Sequence, residues 1–433
     1  MSFTRTLRAV GGAVVAGALL FGTAPTALAD QDRDDQWPLK ATSFDAQKVW
    51  KESTGKGVTV AVIDDPVNGS HPDLQGNVLP GKSFIDGGRG DSKSTRDHGT
   101  AMASLIAGHG HGAGSADGVM GLAPDAKILP VATPEVGIGT DAGGLGSWIR
   151  YAVDQHASII NLSMNPAAVT DSDKQAVAYA VQKDVLVVVG AGNDGESKLS
   201  DLASVPGVVA VGAVDKAGTV WAKSNSGSQL MLTAPGVQIT SASATPGQYR
   251  LADGTSDATA YVSAAAALLR SKFPHLAAGQ VVNRLVKTAG LPPDQKDVQL
   301  PDPHYGYGFI RPLRALTADI PAGSKNGPLK MPQADSSAST GGAMAGNKQA
   351  SGTNSGGLGM GAIVGIAAGV LVVVLIIVVI VVRQKKNGRN GPPPGGPGGF
   401  GGPGFAPQQA GPYQQQPGAP GAFPPPPNQH PGQ

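Results

Sequence analysis

Ser256 follows Gly254-Thr255 and stands before the run 258–269, which is small, apolar and free of Pro and Gly. Polarity returns at Arg270-Ser271-Lys272, so the run reads as a buried helix. A hydroxyl at the mouth of such a helix lies at the positive end of the peptide dipoles, where unpaired N–H groups would stabilise an oxyanion. Taken alone, a serine there is more often an N-cap than a nucleophile. Two other residues change that reading. Asp64 closes the apolar, β-branched run 58–63, the pattern of a strand buried on both faces of a parallel sheet. Functional side chains collect at the carboxyl ends of such strands. His98 opens a second small-residue helix, read over 100–108. Asp, His and Ser in that chain order are one permutation of the acyl-transfer triad. The serine needs a base, and the imidazole needs a carboxylate to hold its tautomer and steady its charged form.

The elements that must position these residues alternate apolar runs with helical patterns, as βαβ units do. Strands are expected at 58–63, 127–131, 158–162, 185–189 and 208–214, and helices at 100–108, 147–155, 173–183 and 258–272. The implied fold class is α/β, a doubly wound, mostly parallel sheet flanked by helices.

Four segments then resemble, in order, the motifs of the subtilase family of serine endopeptidases. Val60-Ala61-Val62-Ile63-Asp64 with His71-Pro72-Asp73-Leu74 looks like its aspartate motif, and His98-Gly99-Thr100 with Met102-Ala103 its histidine motif. Ala191-Gly192-Asn193 looks like its asparagine motif and Gly254-Thr255-Ser256 its serine motif. The resemblance covers roughly residues 50 to 316 and is specific because the motifs occur together. It implies Ser256 as nucleophile, His98 as general base and Asp64 as its orienting carboxylate. Asn193 and the Ser256 N–H would form the oxyanion hole. A peptide substrate would add as a strand against Gly144, Leu145 and Gly146 on one side and Ser163, Met164 and Asn165 on the other, with Gly190 near the primary pocket. Asn165 stands where the family has Gly and is expected to disfavour a large side chain before the cut. Activity is expected to fall below about pH 6 to 7, where an ordinary imidazole becomes charged.

The sequence also departs from the pattern. Asp65-Pro66 replaces Thr/Ser-Gly after the aspartate, Asp257 replaces an apolar residue after the serine, and Ala260 stands where Pro is usual. Asp257 would oppose an oxyanion unless it points away. No cofactor and no metal are expected. His71 reads as structural, and His109 and His111 as part of a solvated Gly-rich loop.

The chain has no cysteine, which excludes disulfides, thiolate metal sites and cysteine nucleophiles. Its 33 basic and 31 acidic residues nearly balance and form no basic stripe in the central region, so no nucleic-acid partner is expected. Residues 1–29 read as a secretory signal, with Arg5 and Arg8 before an apolar stretch and Ala27-Leu28-Ala29 at the cleavage site. Residues 30–56 form an N-terminal arm, too short for a folded inhibitory domain. Its acidic opening is expected to be solvated, and Trp37 and Leu39 to pin the rest of the arm to the domain 57–316. Residues 317–360 read as a flexible linker. The uncharged run 361–382, about 33 Å as a helix, matches an apolar bilayer core of about 30 Å. Arg383, Lys385, Lys386 and Arg389 come directly after it, which orients a single-pass cell-membrane protein with its C-terminus cytoplasmic and its main domain outside. The Pro/Gly/Gln-rich tail within 383–433 has the composition of a disordered segment. With Gln36-Trp37-Pro38-Leu39, Ala46, Trp50 and Ser53-Thr54-Gly55, this anchor is similar to the mycosins, subtilases of bacterial type VII secretion. That likeness implies a secretion complex as a possible partner.

Overall fold

Alternating apolar strands and helices wind, in the computed structural model, into a seven-stranded parallel sheet covered on both faces. The structure describes residues 31–332 apart from 93, 135–143 and 296. Short helices α1 (Gln31–Asp34) and α2 (Ala46–Glu52) lead into β1 (Thr59–Asp64), β2 (Lys82–Ser83) and helix α3 (His98–Ala107). A small ribbon of β3 (His109–His111) and β4 (Asp117–Met120) precedes β5 (Lys127–Ala132). Next come α4 (Leu145–Asp154), β6 (Ile159–Leu162), α5 (Asp171–Gln182), β7 (Leu186–Gly190), β8 (Val208–Val214) and β9 (Leu230–Pro235). A second ribbon, β10 (Ile239–Ala242) with β11 (Tyr249–Ala252), leads to α6 (Thr255–Lys272), α7 (Ala278–Thr288) and α8 (Pro312–Thr317).

The sheet order is β2-β5-β1-β6-β7-β8-β9, with every pairing parallel. Chain order reverses around β1, and crevices at such switch points, at the carboxyl edge, are where α/β sheets hold their sites. Successive side chains of a strand point to opposite faces. Val60 and Val62 therefore enter the core beneath α3, α6 and α7, while Ala61 and Ile63 enter the one beneath α4 and α5. This double burial is why the strands read as unbroken apolar runs. Helix α6 is rich in alanine because it lies close on the sheet: a Cβ on Gly190 would stand 3.0 Å from Thr255 Oγ1.

The expected strands and helices are all present, with ends shifted by up to three residues. Helix α6 begins at Thr255, ahead of the 258 read from composition, so Ser256 lies within its first turn. Helix α5 starts at Asp171 because Thr170 and Asp173 form a reciprocal capping box. The arm is tied down earlier than expected. Arg33 donates to the carbonyls of Gly118, Ser115 and Asp117 at 2.7, 2.7 and 2.8 Å, and Gln36 bonds both the N–H and the C=O of Met120. Trp37 and Trp50 then donate their indole N–H groups to Val237 and Leu122. Arg33 and Gln36 thus hold the arm against the domain, while Asp34 and Asp35 of its acidic opening stay exposed, as expected. His109 and His111 also depart from the solvated loop, since they belong to β3 and both rings have partners.

Among the described residues no helix is long and apolar enough to cross a membrane. The expected leader 1–29, the span 361–382, the tail 383–433 and all but the start of the linker lie outside the described residues.

Candidate active site

Asp64 is the last residue of β1, His98 the first of α3, and Ser256 the second of α6; Asn193 lies three residues beyond the end of β7. Strand ends and helix N-termini of a parallel α/β sheet share one edge, so these four are delivered to the same rim. His98 Nδ1 lies 2.8 and 2.9 Å from the two oxygens of Asp64. An ionised carboxylate only accepts, so Nδ1 carries the proton and Nε2 is left as the acceptor. The Asp65 N–H donates to Asp64 Oδ1 at 2.8 Å and helps fix the buried carboxylate.

Ser256 is half-buried, and its hydroxyl donates to the Ser163 carbonyl at 3.2 Å. Among the described residues no hydrogen bond joins it to His98. Catalytic hydrogen bonds are often unmade before substrate binds. The serine's backbone is anchored by a buried polar chain: Ser263 Oγ donates to Asn161 Oδ1 at 2.9 Å, Asn161 Nδ2 to Ser163 Oγ at 3.0 Å, and Ser163 Oγ to the Ser256 carbonyl at 3.1 Å.

Asn193 Oδ1 receives the Thr255 N–H at 2.9 Å and the Thr255 hydroxyl at 2.8 Å. Because a backbone N–H can only donate, this contact decides which way round the amide sits. Its Nδ2 is the end left to donate elsewhere, beside the head of α6. The role of Thr255 as the clamp on that amide was not read from the sequence, although it is the middle residue of the serine motif.

Asp64 and His98 face Ser163, Met164 and Asn165 across a cleft of about 310 Å³. A larger cavity of about 570 Å³ lies elsewhere, between the arm at Trp37 and Phe44 and the segment around Arg311. Of the other expected substrate contacts, Gly144 is exposed at the N-cap of α4. Leu145 and Gly146 are buried in that helix's first turn, and the Gly146 N–H is taken by Asp173. Gly190 packs under α6 and does not line the cleft.

Burial pulls His98 toward its neutral form, but the charge and hydrogen bond of Asp64, with Asp257 adding to them, override it and raise the imidazole to about 9. This moves the expected loss of activity upward from pH 6 to 7, because the base must be neutral to accept a proton. Asp65 is raised to about 6 by burial and by the neighbouring Asp64 charge. It also receives the Gly99 N–H at 2.6 Å, satisfying an otherwise orphaned donor in the first turn of α3. Asp97, directly before that helix, is spent on the Ser243 hydroxyl and the Ala244 N–H instead.

The family model described as the Subtilase family matches residues 55–308. The chain belongs to the subtilase family. This subtilase is 39% identical to a thermophilic serine proteinase of Bacillus sp. (strain AK1) over 225 residues, 52% of this chain and 55% of that protein. It is 36% identical to Subtilisin of Bacillus pumilus over 244 residues, 54% of this chain and 85% of that protein. The matched stretch thus spans little more than half of the thermophilic relative. Among solved structures it resembles MycP1 from Mycobacterium smegmatis at 28% identity and a TM-score of 0.58, covering 72% of this chain and 91% of that one. It also resembles the MycP3 protease from the type VII (ESX-3) secretion system, at 30% identity and a TM-score of 0.53, covering 69% and 90%.

Within this subtilase the departures noted in the sequence acquire physical roles. Asp65 serves α3 as a cap, and Ala260 is fully buried in the core under α6. Asp257 is also buried, and burial lifts its carboxyl to about 6. Its nearest cation is Arg250, 3.9 Å away on β11, a residue that no motif marked.

Proposed function

We propose that this subtilase is a serine endopeptidase using Asp64, His98 and Ser256, anchored by residues 361–382 with its catalytic domain outside the cytoplasm. One arrangement carries the reading: His98, clamped by Asp64, borders a cleft whose wall, Ser163, accepts the Ser256 hydroxyl. The hydroxyl turns from Ser163 to His98 Nε2 and attacks a peptide carbonyl, while the imidazole takes its proton. Asn193 Nδ2 and the Ser256 N–H receive the oxyanion. His98 returns the proton to the leaving amine, and water then hydrolyses the acyl-enzyme by the same route. Asn165, exposed on the rim, narrows the space for the residue before the cut.

Labelling the full chain with a fluorophosphonate and locating the adduct by mass spectrometry tests the chemistry. An adduct on Ser256 is the expected result, and a folded protein that never acquires one rules the mechanism out. Carbonate extraction tests the anchor: the full chain should stay with membranes, and a chain ending before residue 361 should not.

The partner is proposed from similarity to MycP1, described as an essential component of the type VII (ESX-1) secretion system. A second reading, a scaffold in such a machine without catalysis, draws on the engagement of the Ser256 hydroxyl by Ser163. Secretion from cells carrying Ser256→Ala, compared with cells lacking the chain, separates the two. Secretion lost in both identifies catalysis as essential, and secretion kept by Ser256→Ala identifies the scaffold.

A further inference from the structure

The larger cavity takes no part in the triad, yet its volume of about 570 Å³ falls in the ~300–1,000 Å³ range of ligand pockets. Val214 and Pro235, the last residues of β8 and β9, line it. It therefore lies at the carboxyl edge of the sheet, the edge that carries Asp64 and Asn193. β8 is three strands from β1 and β9 is four, so the cavity stands about 14–19 Å across the sheet from the end of β1, at ~4.8 Å per strand. The half-buried Trp37, Phe309 and Leu313 give it an apolar wall, and Lys216, Arg311 and Arg314 bring three cations to it.

Arg311 is held by stacking rather than by hydrogen bonds. Its Cζ lies 5.2 Å from the centre of the Phe309 ring. A Cβ on Gly290 would stand 2.0 Å from that Cζ and from Nη2, so the guanidinium lies directly against the Gly290 backbone, where no other residue leaves room for it. Among the described residues, no carboxylate pairs with Arg311, Arg314 or Lys216, and no acceptor receives a hydrogen bond from their side chains. The two acids in the wall are engaged by their own neighbours. Asp215 Oδ1 accepts the N–H groups of Ala217 and Thr219 at 2.8 and 2.9 Å, and Asp45 Oδ2 pairs with Lys48 Nζ at 2.7 Å. The cavity thus combines a preset guanidinium, further positive charge and uncovered apolar surface, the complement of an anion on an apolar body.

We propose that this cavity is an exosite: it takes an acidic stretch, Glu or Asp beside an apolar side chain, of the same polypeptide whose peptide bond enters the cleft. The proposal rests on the reading of Ser256 and His98 as nucleophile and base. A carboxylate bonds the free edge of the Arg311 guanidinium, Arg314 and Lys216 add attraction, and the apolar neighbour covers Trp37 and Leu313. The occupant is the substrate because cavity and cleft share one edge of the sheet, a gap that about four to six extended residues span at ~3.3 Å each.

Two measurements on the detergent-solubilised full chain test this. In Ser256→Ala protein, a fluorescein-labelled peptide of Glu and Leu is compared by anisotropy with its Gln and Leu counterpart. The Glu peptide should bind about tenfold tighter or more, and Arg311→Gln should remove that preference. Arg314→Glu and Lys216→Glu, both at exposed positions, should each weaken it severalfold and keep the test open if Arg311→Gln does not fold. In protein that retains Ser256, a cleavable reporter peptide is joined to either segment through a Gly/Ser spacer. The Glu form should have a KM about tenfold lower, an advantage that Arg314→Glu should largely remove. Equal binding of the two peptides, a preference that survives the substitutions, or binding without any KM advantage overturns the exosite. Inorganic phosphate binding as tightly as the Glu peptide overturns it too, by identifying a site for free anions. If the wild type forms no fluorophosphonate adduct on Ser256, the protease reading fails by itself, and the anisotropy titration still decides whether the cavity takes an acidic peptide.

Discussion

Asp64–His98 and Asp73–His111 are both carboxylate–imidazole contacts made through Nδ1, at 2.8 and 2.6 Å. Their surroundings separate them. Asp73 is fully buried, its second oxygen receives the Val119 N–H at 2.8 Å, and its own N–H donates to Nδ1 of the sealed His71 at 3.2 Å. A Cβ on Gly118 would come within 2.1 Å of this carboxylate, so the β3–β4 ribbon is built tightly around it, and Arg33 docks on the same ribbon. Each oxygen has a structural task, and the pair acts as a clamp. Asp64–His98 faces a cleft instead, with Ser163 on its far wall and the Ser256 hydroxyl bonded there. A carboxylate that orients a histidine is therefore not by itself a catalytic device. Asp64–His98 differs in leaving its second ring nitrogen as an acceptor and in facing open space, the two features on which the proposed catalytic role draws.

That contrast can be broken or sharpened by mutation. The largest effect is expected for Ser256→Ala or His98→Ala, each lowering kcat for a fluorogenic peptide by about 10⁶, whereas His111→Gln leaves kcat unchanged. Equal losses from His98 and His111 would erase the distinction. Asp64→Asn should lower kcat by about 10⁴ through loss of the correct tautomer. Asp73→Asn should spare turnover but lower folding stability by about 1–3 kcal/mol in denaturant titrations, because a buried hydrogen-bond set is disrupted. Asn193→Ala should slow turnover by about 10²–10³ with little change in KM, the signature of a donor that acts on the transition state. The smallest effect is a displacement along the pH axis. The acid limb of kcat/KM should lie above the ordinary imidazole value of 6.5, toward 9, since Asp64 favours the charged ring. The same raised value adds stability that is complete below pH 6.5 and lost as pH climbs through 9. A limb centred at or below 6.5 would show that Asp64 does not hold the imidazolium as described.

Much of the site was legible because its parts are local. The strand ending in Asp64 and the helices headed by His98 and Ser256 each carry a periodicity and a terminus within a dozen or so residues, and the arrangement of a parallel sheet brings such termini to one edge. The motif departures were visible too, but not their roles. Asp65 capping α3 and Asp257 lying beside Arg250 depend on which way a side chain turns, which no spacing encodes. His109 and His111 escape a reading by local pattern for a related reason. The carboxylate that holds His111 comes from 38 residues earlier, and no window short enough to show periodicity contains both.

The amino-acid order alone determined the α/β fold class, the residue types proposed for the site and their sequence along the polymer, since burial patterns and helix starts arise from neighbours in the chain. Only the tertiary structure decided the hydroxyl's present partner, the direction of the Asn193 amide, the docking of Arg33 and the burial of Asp257. Contacts such as Ser256 with Ser163 join positions 93 residues apart. Their geometry depends on how the packed sheet and helices bring distant atoms within a few ångströms, the range over which hydrogen bonds and unscreened charges act.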